Sequence, residues 1–483
     1  MPSLIELFEP TSVNVAFVLI LDLFVLASLV IVNARRGFEG TLPLAAFCLI
    51  LFPEESKVPV FGLFDITTQR LVTLALIALY LGTRRHRDLP RNLPLRAGII
   101  AIVLWWTLAT VNSIAFVDSL KALLSLLLDY IGIYFIFAKS ISDIRTVRRI
   151  FCGIVAGLIV CSLFGVIEAY GNWSVVSMFP AEMHRFGTSG VLYLDEARGI
   201  RVQSTFGHPI LFGSALAMGI PMTLYLIATS TGAKEKIFYW VGLLLMFTSI
   251  FKTSSRGPWM ALCFSLLPFL FFGRRKIRGY IVAMCVLAVI VLIVRPGVGE
   301  TLWNDYAATV DDHSSQGQSY QYRYALYDLV IQKLNESPGR MIWGYGPQSF
   351  PYLHLSGTID GRGMAFVSCD SSIAALLAET GYIGLALMGS FLAYILLRAI
   401  AMFRSLPPPG NQICILLCVN LFAFYFEMTN VAILGWGQQT ILLWLMIALV
   451  MIYPSLVESE AASPVLLPQD NEDHDRISAL SPA

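Results

Sequence analysis

Charged side chains are scarce in this chain, and so are the clusters of them that mark soluble or nucleic-acid-binding proteins. Asp, Glu, Lys and Arg make up 13% of the 483 residues, compared with about 25% in soluble domains. Hydrophobic residues make up 57%, and several apolar runs approach or exceed the roughly 20 residues that cross a bilayer. The sequence contains no basic block of the kind that binds nucleic acid. The composition therefore predicts an all-α, polytopic helical membrane protein.

Motifs of metal and disulfide chemistry are also missing. The sequence has no CxxC pair and no HExxH helix, so neither a structural zinc nor a zincin site is expected. Seven of the eight cysteines lie in apolar runs, where Cys usually behaves as a small hydrophobe. Only Cys369 lies at a loop edge, so no disulfide framework is predicted. No basic region precedes the first apolar run, which argues against a cleaved signal peptide.

The apolar runs predict 12 or 13 membrane spans, and the first 65 residues hold the uncertain one. Thr41 to Phe52 is short for a crossing. The predicted layout is N-terminal membrane helices at 1–170, an external loop at 171–208, central membrane helices at 209–295, a large external loop at 296–370, C-terminal membrane helices at 371–456 and a disordered acidic cytoplasmic tail at 457–483.

The distribution of Lys and Arg predicts the orientation. Short basic connections alternate along the chain and are expected to face the cytoplasm. They lie at 35–36, 84–96, 139–149, 234–236, 274–278 and 398–404. The loops at 171–207 and 296–370 then fall on the opposite face, together with the segment Lys252–Gly257.

The large loop is the expected centre of function. It is the longest polar interval in an otherwise apolar chain, and long loops with their own secondary structure are usually functional. The alternative is a passive cap over the helix bundle. Residues 296–370 hold eight acidic and four basic residues, so any Arg used for binding must be positioned individually.

Three outward-facing clusters contain arginine, whose planar fork suits phosphate. The first holds Arg198, Arg201 and His208, the second Arg256 at a membrane boundary, and the third Arg323 ahead of a predicted amphipathic helix. Arg256 could equally extend to lipid headgroups, and Arg323 could lie on a solvated helix face. His208 precedes a proline at a helix start, and the interpretation as a neighbour of the helix cap is favoured over a catalytic role.

Asp370 is the strongest single candidate for a functional residue, because it lies where the large loop returns to the membrane. An Asp there can cap the following helix, and it can also be a general base that faces the outer cavity. Glu379 follows nine residues later, on about the opposite side of a straight helix, and is a separate candidate. Further candidate bases are the loop acids Asp311, Asp312 and Asp360.

Five short motifs together resemble the superfamily of O-antigen ligases and Wzy-type polymerases. They are TFGHP at 205–209, TSSRG at 253–257, YRY at 322–324, SPGRMIWGYGPQSF at 337–350 and DSSIAALLAETGYIG at 370–384. Each motif alone is weak, but their order and spacing make the resemblance specific over roughly residues 190–400.

The resemblance implies a glycosyl transferase of the bacterial inner membrane with its active site facing the periplasm. It implies a fold like that of C-type glycosyltransferases and a glycan donor carried on undecaprenyl diphosphate, with no nucleotide sugar, metal or other cofactor. Chain-length regulators or polysaccharide export proteins are possible partners. Asp370, Arg256 and Arg323 are then expected to be catalytic. The expected substrate-binding residues are Arg198, Arg201, His208, Tyr345 and Glu379.

The choice between polymerase and ligase depends on one position. In the ligases a His commonly begins the motif before the returning helix, and Asp370 occupies that position here. This departure favours polymerisation of O-antigen or exopolysaccharide repeats over ligation to lipid A-core. A transporter is a rival of another class, but no paired repeat of broken helices is visible. A non-catalytic assembly subunit is the third alternative.

Overall fold

The structure is a computed structural model that describes most of the chain. It covers residues 12–58, 65–83, 94–179, 192–195, 198–294, 315–359, 362–366, 368–408 and 410–462, with six single positions between 297 and 307. The described chain is predominantly helical, which confirms the predicted class of a polytopic helical membrane protein.

The helices follow one another along the chain, and the two long polar loops lie before the helices that begin at Pro209 and Ser372. They are α1 (Ser12–Leu51), α2 (Thr68–Gly82), α3 (Arg96–Val111), α4 (Phe116–Ser125), a π-helical segment (Leu126–Ile131), α5 (Gly132–Ser140), α6 (Ile144–Gly171), α7 (Pro209–Thr229), α8 (Ala233–Lys252), α9 (Arg256–Phe272), α10 (Arg275–Val294), α11 (Ser315–Asn335), α12 (Pro338–Trp343), α13 (Ser372–Ser405), α14 (Asn411–Glu427) and α15 (Gly437–Ala462). Three antiparallel hairpins pair β1 (Lys57–Val58) with β2 (Ile66–Thr67), β3 (Tyr193–Asp195) with β4 (Gly199–Arg201), and β5 (Leu355–Ile359) with β6 (Arg362–Phe366).

Seven helices of the described chain are long and apolar enough to cross a membrane. They are Asn14–Leu51, Phe116–Ser140, Ile144–Gly171, Pro209–Thr229, Arg275–Val294, Ser372–Ser405 and Gly437–Glu460. Four further apolar helices are shorter, namely α2, α3, α9 and α14. The prediction of 12 or 13 spans counts the four shorter helices, α8 and both halves of α1 as separate crossings, in addition to the other long helices. This number stays a prediction. Helix α15 continues to Ala462, six residues into the segment predicted to be a disordered tail.

The core lies around α7, α14 and α15. Almost every side chain of α7 and of the α15 span is buried, whereas α10 exposes most of its surface. Helix α1 breaks at Gly37, which has the glycine-type angles φ 72° and ψ 175°. Its second half packs against α6, where a Cβ at Gly153 would clash with the Pro43 carbonyl. A glycine is therefore required for this close approach of two backbones.

The connections fall into two groups at opposite ends of the bundle. At the basic end, Arg148 of α6 pairs with Glu235 of α8 at 2.7 Å, and Arg274 donates its backbone N–H to Gln412 at 2.9 Å. At the other end, here called the loop end, the polar loop before α7 contacts the turn between α8 and α9. The large loop contacts the connection between α14 and α15 at the same end. This grouping agrees with the predicted alternation of basic and non-basic connections.

Thiol labelling tests which end faces outward. Ser356→Cys lies on the exposed β5–β6 hairpin at the loop end, and Thr231→Cys lies at an exposed position before α8 at the basic end. The positive-inside rule predicts that an impermeant thiol reagent labels the first in intact cells and the second only after the membrane is opened. The parent protein, with its eight native cysteines, sets the background. The reverse labelling pattern would invert the proposed orientation.

The large loop has a small hydrophobic core of its own. Its buried residues come from α11, the segment after α12, both strands of the hairpin and the first turns of α13. They are Leu326, Val330, Leu334, Tyr345, Phe350, Leu353, Leu355, Phe366, Ala374, Leu377 and Ala378. Because the last three belong to α13, the loop and the start of this helix are packed as one unit.

The helix after Asp370 breaks at Gly381, where φ is 68° and ψ is −175°. The break leaves helix carbonyls without their usual partners. The loop supplies donors instead: the N–H of Tyr345 bonds the Ala378 carbonyl and the N–H of Gly346 bonds the Glu379 carbonyl, both at 2.9 Å. The broken helix and the loop therefore satisfy each other's backbone groups.

Replacing Gly381 by Ala is expected to destabilise the protein. The backbone angles there are almost restricted to glycine, and an added Cβ would clash with the Ile342 carbonyl. Such strain costs about 1–3 kcal/mol, so the melting temperature in detergent should fall. Gly389→Ala in the same helix is the matched control, because nothing lies within 4 Å of its added Cβ. Equal melting temperatures for the two variants would contradict the strain argument.

Candidate functional site

The turn between α8 and α9 is held by arginines of the preceding loop. Arg201 Nε donates to the Thr253 carbonyl at 3.0 Å and its Nη2 donates to Ser255 Oγ at 2.8 Å. Arg198 Nη1 donates to the Ser254 carbonyl at 2.9 Å. Ser254 has a positive φ of 47°, an uncommon conformation for a residue with a side chain. The two arginines therefore stabilise a tight turn that leads directly into α9.

Arg201 is enclosed by protein groups. Its guanidinium also lies 5.2 Å from the centre of the Tyr193 ring and 3.6 Å from a carboxylate oxygen of Asp195, and only 5% of the residue is exposed. Burial, assisted by the nearby charge of Arg198, lowers the pKa of Arg201 to about 10. Arg201 thus remains charged at neutral pH, but its N–H groups serve the turn before Arg256.

Arg256 is the first residue of α9, directly after the stabilised turn. The next residue packs closely against the end of α14, since a Cβ at Gly257 would lie 3.0 Å from both carboxylate oxygens of Glu427 and 3.3 Å from Asn430 Nδ2. The start of α9 is therefore fixed against the connection between α14 and α15.

Arg323 reaches the same connection from the large loop. It lies inside α11 instead of ahead of a helix, which differs from the sequence-based expectation. Its Nη2 donates to the Asn430 carbonyl at 3.1 Å. Its Nε is buried and has no hydrogen-bond partner among the described residues. Arg323 therefore retains donor capacity at the loop end.

Asp370 does not cap α13, so the cap interpretation is wrong. Ser371 is the N-cap, and its Oγ accepts hydrogen bonds from the N–H groups of Ile373 and Ala374. Ser371 Oγ also lies 2.6 Å from the Tyr327 hydroxyl, which fixes the serine in this position. The Asp370 carboxylate is consequently not used by the helix start.

The electrostatic environment of Asp370 favours its neutral form more than water does. Asp370 is partly buried, and this burial raises the pKa of its carboxyl, while the charge of Arg323 lowers the pKa by a smaller amount. The net shift is upward, which makes this carboxylate a better proton acceptor than an ordinary surface aspartate.

The start of α13 is tied to the same connection that Arg323 contacts. Ser372 donates its N–H to the Met428 carbonyl at 2.9 Å and its Oγ to the Val431 carbonyl at 3.1 Å. The Ile433 N–H donates to Ser372 Oγ at 2.8 Å. The three predicted catalytic residues thus belong to segments that all meet the residues 427–433, although they are far apart in sequence.

The remaining predicted residues have partners in the fold. His208 is itself the N-cap of α7 and accepts the Ile210 N–H through Nδ1 at 3.2 Å, whereas the sequence had suggested a neighbour of the cap. Tyr345 is buried in the loop core, and its hydroxyl donates to the Lys333 carbonyl at 2.8 Å. Asp311, Asp312 and Asp360 lie outside the described residues.

Glu379 lines a cavity of about 770 Å³ at the loop end. Four residues of α13 before its break at Gly381 form one wall, namely Ser372, Ala375, Leu376 and Glu379. Their spacing of three or four residues places them on one face of the helix. The opposite walls come from α2, α4, the π-helical segment and α15. The cavity therefore begins at the helix turn that follows Asp370.

Sequence reasoning missed several ionisable residues at this end. Glu427 is fully buried at the end of α14, and Asp129 is buried in the π-helical segment beside the cavity. Both stand inside runs that were assigned only as membrane spans. A lone carboxylate in an apolar span is itself a functional signal, and it could have identified both. No three His, Cys, Asp or Glu side chains of the described chain are grouped so that they could hold a metal ion.

Fold and site together define a multi-pass helical membrane protein with buried acids and positioned arginines at one end of its bundle. Comparison with known families specifies this class further. Residues 241–389 match the family model Wzy_C, described as O-antigen ligase. The match confirms, over residues 241–389, the resemblance noted in the sequence. No curated protein matches the chain significantly.

The matched region contains the main candidates for chemistry. Arg256, Arg323, Asp370 and Glu379 all lie within residues 241–389, whereas Arg198, Arg201 and the cavity residue Asp129 lie before it. Wzy_C members are membrane glycosyltransferases of the ligase or polymerase type. The match thus relates residues 241–389 to a family of membrane glycosyltransferases.

Proposed function

We propose that the protein polymerises oligosaccharide repeats carried on undecaprenyl diphosphate, forming O-antigen or exopolysaccharide on the outer face of the inner membrane. The observation that carries the proposal is the meeting of α9, α11 and the start of α13 on residues 427–433. Two arginines that suit a diphosphate and one carboxylate that can accept a proton therefore come from segments held in a common place.

The proposed reaction is a metal-independent inverting displacement. The oxygen of an acceptor hydroxyl forms a bond to the anomeric carbon of the donor sugar, while the bond from that carbon to the diphosphate oxygen breaks. The diphosphate leaves with the bonding electrons, and the hydroxyl proton moves to the carboxylate of Asp370. Negative charge grows on the leaving group, so Arg256 and Arg323 stabilise the transition state more than the ground state.

Arg201 and Arg198 have a positioning role in this proposal. Their donors hold the carbonyls of residues 253 and 254, so they fix the direction in which Arg256 leaves the turn. This assignment replaces direct phosphate contact by Arg201, which the sequence alone had suggested. Positioning matters because misplacement of a donor by about 1 Å costs on the order of 10²-fold in rate.

An O-antigen ligase is the second candidate, and the description of the matched family favours it. In that case the finished glycan moves to lipid A-core or to another acceptor by the same displacement. The position of Asp370, where ligases commonly carry a His, supports the polymerase instead.

Deletion of the gene followed by sizing of lipid-linked and surface glycan tests the proposal. Single repeats that accumulate on the lipid are expected for a polymerase. Full-length chains left on the lipid would show that the protein is the ligase. Unchanged glycan on both carriers would overturn both assignments, provided that the strain makes such a glycan before deletion.

A further inference from the structure

The wall of the cavity opposite α13 contains an aspartate in an unusual helical segment. Residues Leu126–Ile131 form a π-helix between α4 and α5, and such segments are frequently found at functional sites. Asp129 lies in this segment, lines the cavity and is only 9% exposed. A buried carboxylate needs partners to offset the loss of hydration, so the partners of each of its oxygens decide what it can bind.

One carboxylate oxygen of Asp129 is satisfied and the other is not. Oδ2 accepts a hydrogen bond from Arg70 Nε at 2.9 Å. Arg70 is itself fixed, because its other nitrogens donate to the Asp65 carbonyl and to Ser125 Oγ, both at 2.6 Å. Oδ1 is buried and has no hydrogen-bond partner among the described residues. The arrangement presents one rigidly held acceptor oxygen beside the cavity.

The charge of the cavity does not suit a diphosphate. Six lining side chains are acidic and three are basic, namely Glu54, Glu55, Asp65, Asp118, Asp129 and Glu379 against Lys57, Arg70 and Lys121. Two of the bases are already paired with acids, since Lys57 contacts Asp65 and Arg70 contacts Asp129. An anionic ligand would meet mainly like charge here, so it is better accommodated at the arginines outside this cavity.

The lining suits a carbohydrate instead. Aromatic side chains line the same space, namely Trp106, Tyr130, Tyr352, Phe391, Trp436 and Trp444, and they can cover the apolar C–H face of a sugar ring. Carboxylate and amide groups of Asp129, Gln69 and Gln348 can bind its hydroxyls. A volume of about 770 Å³ lies within the range of roughly 300–1,000 Å³ that is typical of small-molecule sites.

We infer that this cavity binds the terminal saccharide of the glycan acceptor, with Asp129 Oδ1 accepting a hydrogen bond from one of its hydroxyls. The inference rests on the proposed function. It places the acceptor in this cavity, and the donor diphosphate at Arg256 and Arg323 outside it. Arg70 is a positioning residue that fixes the orientation of Asp129. The acceptor then lies against the face of α13 that begins at Ser372, two residues after Asp370.

Direct binding tests the inference without requiring turnover. The probe is the repeat oligosaccharide released from its lipid, titrated against the full-length purified protein by calorimetry. Asp129→Asn keeps an oxygen toward Arg70 but replaces the free acceptor by an N–H donor. Its affinity for the oligosaccharide is expected to be about tenfold to hundredfold lower, as for loss of a hydrogen bond to a charged group. Glu336→Gln is the matched control, since it removes a carboxylate charge at an exposed position of the large loop and should bind normally.

Thermal melting would show whether Asp129→Asn folds. If it does not fold, a second variant tests the same cavity. Ala122→Phe adds bulk at a lining position on α4 and leaves the polar groups unchanged, so it should weaken oligosaccharide binding by a similar factor. Undiminished binding in either folded variant would overturn the inference, as would an effect of Asp129→Asn confined to the binding of added Mg²⁺ or Ca²⁺. Arg323→Ala should retain oligosaccharide binding, because it belongs to the donor region.

Different results would contradict the acceptor-site inference and the polymerase proposal. If Asp129→Asn binds oligosaccharide normally while gene deletion leaves single repeats on the lipid, only the assignment of the cavity to the acceptor is wrong. If oligosaccharide binding depends on Asp129 while gene deletion leaves the glycan unchanged, the saccharide site stands and the polymerase proposal is wrong.

Discussion

Replacement of Asp370 by Asn is expected to abolish glycan polymerisation and to leave the protein folded. A general base needs an ionisable group, and positioned acid–base residues typically contribute about 10²–10⁴-fold in rate. Because Ser371 caps α13, removal of the Asp370 charge does not remove the cap. The measurement is polymer formation from purified lipid-linked repeat in vesicles, with thermal melting as the test of folding.

Two variants at neighbouring positions separate chemistry from stability. Ser371→Ala removes the cap and should lower the stability of the protein by about 1 kcal/mol. Asp370→His, which introduces the residue of the ligase pattern, should retain part of the activity if its ring reaches the same hydroxyl. An Asp370→Asn variant with the rate of the parent protein would exclude the base, and Glu379 would then become the acid to test.

The pH dependence of the reaction provides an independent measurement. The pKa of Asp370 is raised by burial and lowered by the charge of Arg323. Activity that needs the ionised carboxylate should therefore fall with decreasing pH at values above the ordinary range of aspartate, which is about 4. Arg323→Gln removes the opposing charge, so this acidic limb should move to higher pH, whereas Arg323→Lys should leave it nearly in place. A limb that is unchanged in Arg323→Gln would contradict the electrostatic contact.

Replacement of Arg256 or Arg323 by Ala is expected to have the second large effect. Each variant loses a charged hydrogen bond to the departing diphosphate, and by analogy with removal of an oxyanion donor this costs about 2–4 kcal/mol of transition-state stabilisation. Lys keeps the charge but loses the fork, so both Arg→Lys variants should still be impaired. The measurement is again the initial rate of polymer formation at equal protein levels.

The Lys variants also decide between the two interpretations of Arg256. A side chain that only extends to lipid headgroups can be replaced by Lys without loss, so full activity of Arg256→Lys would favour the lipid interpretation. Arg404→Ala is the control, because Arg404 is exposed at the end of α13 that lies far from the loops. Normal glycan length in both Arg→Ala variants would exclude the proposed clamp.

The helical class and the position of the two polar loops on one face could be predicted from the sequence, because both depend on local pattern. Apolar runs indicate spans, and Lys and Arg indicate the connections on the opposite face. The cap of α13 was not predictable in the same way. Asp370 and Ser371 are both good cap residues, and the choice between them is fixed by contacts of Ser371 with Tyr327 and Met428, which are remote in sequence.

The cavity that contains Asp129 could not be predicted from the sequence for a related reason. Asp129 stands in an apolar run, and its partner Arg70 lies 59 residues earlier in the chain, so no short motif contains both. The same holds for Glu427 and Gly257. Pairing of distant ionisable groups follows from tertiary packing, and a single sequence carries only the hint that such groups occur within apolar spans.

The exchange of hydrogen bonds at Gly381 has a mechanical consequence. Tyr345 and Gly346 hold the carbonyls of Ala378 and Glu379, and Trp343 stacks on Trp105 at 4.7 Å between ring centres. The large loop and the first segment of α13 are therefore mechanically coupled, and the stacking on Trp105 anchors this unit to α3. Strain that a bound glycan imposes on the loop would be transmitted to the segment between Asp370 and Glu379, so the proton acceptor and the cavity wall would respond together.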